Sequence, residues 1–231
     1  MKNLLLFEWH LHLRNKRLKQ QFFMLIVFFL WFSFMLTTSP TFQESPFLVE
    51  IVFIGMMSLF VQCATAPLAV NASFIEKQLT TPLSVFRILR AKYYFFCILS
   101  LIPFVLLLPT LFWNPIHFFD LFSTYLFVVG FMLFGSFCSN LFSYKPFEIK
   151  TSGFYNYQGM DKGNSLYPVF VMSLGVGAVV LVHWQFGETA AVIFKAVVGL
   201  AFIATHKIWL TFIARKIEAK KYYRIECFRK K

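Results

Sequence analysis

Charge is the scarcest commodity in this sequence. Only 14% of the 231 residues are Asp, Glu, Lys or Arg, against roughly a quarter in an ordinary soluble domain. Acidic residues are scarcer still, at 10 against 22 Lys and Arg. The four cysteines have no metal-ligand spacing: Cys63, Cys97 and Cys138 fall in apolar stretches and Cys227 in the basic tail. They read as small apolar fillers rather than a disulfide framework or redox centre. No phosphate-binding loop occurs, since Gly159 and Gly163 lack the Lys-Ser/Thr ending. No Ser/His/Asp set can be assembled, and no His/Glu cluster has metal spacing. No cleavable signal is evident: the first apolar segment is too long and lacks a small-residue cleavage site.

What is present is apolar. Hydrophobic residues make up 58% of the chain, and Phe alone contributes 33. Disorder is excluded by that composition, and a water-soluble fold is nearly so. A membrane-crossing helix needs roughly 20 mostly apolar residues. Six segments fit, at about residues 21–38, 47–70, 93–113, 121–142, 167–184 and 188–213. The expected fold is all-α: one polytopic membrane domain of six transmembrane helices over residues 1–231, with no room for a separate soluble domain.

The basic residues fall on one side of that layout. The arm (1–20) carries Lys2, Arg14, Lys16, Arg17 and Lys19. The connection 73–92 carries Lys77, Arg87, Arg90 and Lys92; the connection 143–166 carries Lys145, Lys150 and Lys162; the tail (214–231) carries eight more. The opposite loops hold Glu44, Asp120 and Glu188 with no Lys or Arg. Positive loops stay in the cytoplasm, so both termini are expected there. Orientation accounts for the positive balance, and nucleic acid is not needed as a partner. Lys207 is expected to snorkel to the cytoplasmic surface, and Lys195 to the outer headgroups.

Within the arm, apolar and polar residues alternate strictly from Phe7 to Arg14, which is a strand pattern. An isolated strand at a membrane leaves its backbone unpaired. An amphipathic interfacial helix is therefore expected, with Trp9, His10 and His12 near the headgroups. Pro67 should kink the second span, where Ala64, Ala66, Ala69 and Ala72 allow a close neighbour. In the connection 73–92, a short helix over 73–79, a turn at Thr80, Thr81 and Pro82, and a second short helix capped by Ser84 are expected. Val85, Ile88 and Leu89 share one face of that helix, and Arg87 and Arg90 another. The connection 143–166, rich in Gly and Tyr, reads as a compact loop. In span five, Ser173 and Gly177 have the small-xxx-small spacing of close helix contact. The tail interleaves Lys and Arg with Ile217, Tyr222, Tyr223, Ile225 and Phe228, a pattern suited to anionic lipids.

Buried ionisable groups mark function inside a membrane. The candidates are Glu50 and His117 and His183 near the outer boundary, and His206 in the inner part of span six. The spans otherwise lack the buried carboxylates that a proton-driven pump needs, so an energy source is expected outside the chain.

Three stretches carry a resemblance. Residues 4–14 (LLLFEWHLHLR) resemble the elbow helix of ABC-2-type exporter permeases. Residues 71–74 (NASF), 82–84 (PLS) and 91–94 (AKYY) resemble the coupling segment of such permeases. Residues 154–159 (FYNYQG) resemble a loop of a related family of bacterial membrane proteins of unknown function. The resemblance implies a permease subunit in a bacterial inner membrane that is not itself an enzyme and needs no cofactor or metal. ATP would be hydrolysed by a separate cytosolic subunit docking on Phe74, Glu76, Lys77, Leu79, Pro82, Leu83, Arg87 and Arg90. It also implies a homodimer or a paired permease. The aromatic, uncharged spans suggest a lipid-like or hydrophobic substrate. Two other readings stand beside it: a non-transporting membrane scaffold or assembly factor, and an intramembrane enzyme built on His206, His183 or Glu50.

Overall fold

A computed structural model describes residues 2–14, 16–38, 54, 84–112, 118–141, 162–223 and 226. Every regular element among the described residues is helical, with no strand. The helices are α1 (Lys2–Arg14), α2 (Lys16–Thr38), α3 (Val85–Leu99), α4 (Leu101–Leu107), α5 (Phe118–Phe127), α6 (Leu133–Cys138), α7 (Lys162–Phe186), α8 (Glu188–Ala204) and α9 (His206–Ala219). A 3-10 stretch, Leu108–Phe112, follows α4; a π-helical turn, Val128–Met132, joins α5 to α6; and a second 3-10 turn, Ser139–Leu141, ends that rod.

Among the described residues, two rods are long and apolar enough to cross a membrane: Val85–Leu107 and Phe118–Leu141. A third exists if α8 and α9, bent by 57° at Thr205, form one span. These helices suggest a membrane protein. The second expected span and the connection 143–166 lie almost wholly outside the described residues. The last residues of that connection are helical, because α7 begins at Lys162.

The arm is a helix despite its alternating pattern. Local hydrogen bonding within one segment satisfies the backbone, which an unpaired strand could not do. Among its described side chains the buried one is a charge: Glu8 is 3% exposed, whereas Leu6, Trp9 and Leu13 face outward.

The second short helix expected after Ser84 does not stand apart. α3 runs unbroken from Val85 through Lys92 to Leu99, so the end of the connection 73–92 is the base of the third span. Ser84 occupies the N-cap position, but its side chain makes no capping bond. Glu218 Oε1 instead accepts the Val85 amide at 3.3 Å. A break at Ser100 divides α3 from α4. Pro103 has no N–H to offer the Leu99 carbonyl, so the helix cannot run on unchanged.

α7 and α8 form a hairpin turned by the single residue Gly187, at φ 83°. That left-handed conformation costs glycine nothing. The Ser173–Gly177 stripe makes no close contact here: nothing lies within 4 Å of a Cβ placed on Gly177, and Ser173 is exposed. Gly175, between them, takes the close contact, against Met132 and Phe131.

Candidate functional site

The rod α5–π–α6 crosses α8 at two glycines. A Cβ on Gly130 would collide with the Gly199 carbonyl oxygen, and one on Gly199 would collide with the backbone of Leu126 and Phe127. Backbones therefore touch, and the π turn lies at this crossing. Such turns often sit at functional positions. Ala191, Lys195 and Gly199 are spaced by four residues and share one face of α8; all three are buried. Lys195 thus projects from a face of small residues into a neighbouring helix.

Its partner is Asp120. Lys195 Nζ lies 2.5 Å from Asp120 Oδ1, with the two side chains 0% and 5% exposed. Lys195 Nζ also donates to Thr124 Oγ1 at 3.2 Å. That hydroxyl gives its own proton to the Asp120 carbonyl at 2.9 Å, leaving lone pairs for the ammonium. Asp120 stands in the first turn of α5, where the helix dipole favours an anion. Both sequence expectations for these residues are overturned. Asp120 is not in an outer loop, and Lys195 does not snorkel. The glycine crossing brings α5 too close for the Lys195 stem to escape, and Asp120 removes the reason to. The expectation that the spans lack a buried carboxylate falls with them. The missed signal was a cation among small residues at helical spacing, which points to a helix partner rather than to lipid.

A second buried pair joins α1 to α3. Lys92 Nζ meets Glu8 Oε2 at 2.7 Å, with 1% and 3% of the side chains exposed. Trp9 packs edge-on against Phe95, with ring centroids 6.4 Å apart. Lys92 is a buried tie to the arm, not a solvated loop charge.

The third feature is the break at Thr205. A helix interrupted there frees carbonyls that must find other donors. The Trp209 indole donates to Phe202 O at 3.0 Å, and His206 Nδ1 lies 2.7 Å from Ile203 O. A carbonyl only accepts, so Nδ1 carries the proton, assigned from this geometry. In the neutral ring Nε2 then accepts from the Tyr94 hydroxyl, 3.2 Å away. Arg90 Nη2 donates to that hydroxyl at 3.4 Å, and its guanidinium lies 5.5 Å from the Tyr94 ring centre. Tyr93 stacks on His206 with centroids 5.3 Å apart. His206 is thus a cap for the break, locked between aromatic rings, rather than a free base.

Of the expected docking residues, Arg87 is exposed near the start of α3 and Arg90 is half-buried. Phe74, Glu76, Lys77, Leu79, Pro82 and Leu83 lie outside the described residues, as do Glu50 and His117. The structure brings α1, α3 and α9 together along the N-terminal half of α3. Val85 meets Glu218, Tyr93 and Tyr94 meet His206, and Lys92 meets Glu8. Among the described residues no group of three or more His, Cys, Asp or Glu could hold a metal. Comparison with curated proteins and with solved structures returns no match. The sequence matches a family model over residues 1–231, and the chain belongs to that family, a family of unknown function designated DUF5687.

Proposed function

We propose that this chain is the membrane-spanning permease subunit of an ABC-type exporter. It has six spans, lies in a bacterial inner membrane, and keeps the arm and both termini on the cytoplasmic side. A separate cytosolic subunit hydrolyses ATP, and two permease chains work as a pair. The substrate is hydrophobic or lipid-like, and the basic tail rests on anionic lipid.

One observation carries the reading: α3 is the shared lever of the docking end. Its first amide is held by Glu218 of α9, and its Lys92 is buried against Glu8 of α1. Packed elements transmit displacement because they are bistable rather than continuously deformable. A push on residues 73–90 therefore moves the arm, the third span and α9 together, as coupling to an outside motor requires. The Asp120–Lys195 pair does not supply a motor of its own. Its charges are paired with each other and braced by Thr124, which suits a clasp.

Native co-purification through a C-terminal tag tests this reading, repeated with Glu76, Arg87 and Arg90 reversed in charge. An ATP-binding subunit should accompany the wild type and be lost from the variant. If no such subunit accompanies folded wild-type protein, the exporter reading fails and the scaffold reading replaces it.

A further inference from the structure

In the sequence, residues 206–213 read as the inner end of span six and residues 214–219 as the start of the basic tail. The axis of α9 instead turns 57° away from α8 at Thr205. One face, formed by Trp209, Leu210, Ile213, Ala214 and Ile217, is buried against the bundle. The opposite side carries two large apolar residues four positions apart, Ile208 at 72% exposure and Phe212 at 55%. Arg215 and Lys216 follow on the same side, both exposed. The Lys216 ammonium lies 5.7 Å from the centre of the Phe212 ring. The pattern continues past the helix end, where Lys221 lies 5.6 Å from the Tyr222 ring.

An apolar edge rimmed by cations is what an interfacial helix presents to anionic lipid. The alkyl stems of Lys and Arg run along apolar surface while their heads stay at the phosphates. An acidic protein would meet the cations but leave Ile208 and Phe212 without an apolar bed. A helix that continued the span would not need the bend. We propose that α9 lies along the cytoplasmic surface of an anionic bilayer. Ile208 and Phe212 enter the acyl boundary, Arg215 and Lys216 sit at lipid phosphates, and Lys207 and Thr211 stay on the aqueous edge. This inference rests on the proposed embedding of α8 in the bilayer and deepens the lipid contact proposed for the basic tail, to which Arg215 and Lys216 belong. It goes further in placing α9 in the interface, bound to lipid along one edge.

The test is site-directed spin labelling of the full chain in phosphatidylglycerol-rich nanodiscs, with Cys63, Cys97, Cys138 and Cys227 replaced by Ala. Single cysteines go at positions 207, 208, 211 and 212 of α9. Two further ones replace Val197 and Leu200, both exposed on α8 at 60% and 52%. Collisions with oxygen should dominate at 208 and 212, and collisions with an aqueous nickel complex at 207 and 211. Each basic residue near an anionic surface is worth about fivefold in binding. Arg215→Glu with Lys216→Glu should therefore shift the docked equilibrium at position 212 by about 25-fold or more, and should do much less in phosphatidylcholine discs. Nickel access at all four α9 positions, with oxygen access kept at 197 and 200, overturns the docking and leaves the embedding intact. That result would point to a cytosolic partner instead. A depth rising steadily from 211 back to 207 would make α9 a transverse span and also overturn it. Nickel access at 197 and 200 would remove the embedding of α8 and the docking with it.

Discussion

Replacing Lys195 by Met separates a buried clasp from a snorkelling lysine by the sign of the effect. Met keeps the length and flexibility of the stem and removes the charge. In the structure the ammonium is fully buried on Asp120, so its loss strands a carboxylate inside the bundle. Breaking a buried pair on one side costs about 3–5 kcal/mol, which is about two to three and a half powers of ten in the folding equilibrium. A snorkelling lysine behaves oppositely. Removing a cation from an apolar helix should then be neutral or favourable, because a charge at depth costs about 2.5–3.5 kcal/mol on insertion scales. Asp120→Leu together with Lys195→Met should recover stability to within about 1 kcal/mol of wild type, since a buried pair and an apolar replacement roughly balance. The non-additivity of that cycle is the coupling of the two charges. SDS titration of the purified chain in mixed micelles, followed by far-UV circular dichroism, gives all four stabilities. A Lys195→Met variant as stable as wild type would refute the clasp.

Gly199→Leu should fail to assemble the α5–α8 crossing, because its side chain would have to enter the backbone of Leu126 and Phe127; the same titration should show a loss of more than about 3 kcal/mol. Glu8→Ala leaves Lys92 buried without its carboxylate, and hydrogen exchange across residues 2–14 should accelerate while exchange in α8 stays unchanged. Trp209→Phe keeps an aromatic ring but removes the indole donor to Phe202 O, leaving that carbonyl only the 3.5 Å bond from Thr205 Oγ1; a cost of about 0.5–1.5 kcal/mol is expected for the lost hydrogen bond. Glu218→Ala removes the acceptor at the first amide of α3, and about 0.5–2 kcal/mol should be lost, as at a deleted helix cap; Ser84→Ala should cost less than that.

The sequence made the helices legible and their partners illegible. Apolar length alone locates the rods around residues 93–113 and 121–142, because lipid and helix geometry both demand it. It does not distinguish a charge at the end of a span from one at the start of the next helix. Asp120 reads as a loop residue for that reason, whereas it stands in the first turn of α5. The alternation over residues 7–14 taken alone points to a strand; the cost of an unpaired backbone overrides it, and the segment is helical. The break at Thr205 is hidden in the sequence because its repairs come from Trp209, which carries no signal there, and from His206, which reads as a candidate base. Glu218 capping α3 was beyond reach, since it lies 133 residues from Val85.

The placement of the two buried pairs follows from how helices recognise each other in an apolar medium. Lipid tails are as apolar as leucine, so burial of hydrophobic surface gives helices little reason to choose one neighbour or one register. Close backbone contact, as at Gly130 and Gly199, fixes how near two helices come. On its own it would tolerate a slide of one turn, because α8 also presents small residues at Ala191 and the turns between. A cation that finds its carboxylate at one register only removes that freedom: a slip of one turn would carry Lys195 away from Asp120, towards Ser123 and Thr124 or past the start of α5. Glu8 and Lys92 impose the same choice on the arm. A chain this poor in charge places two of its lysines where they cost most to leave unpaired. Each joins helices that close packing alone would leave free to slide.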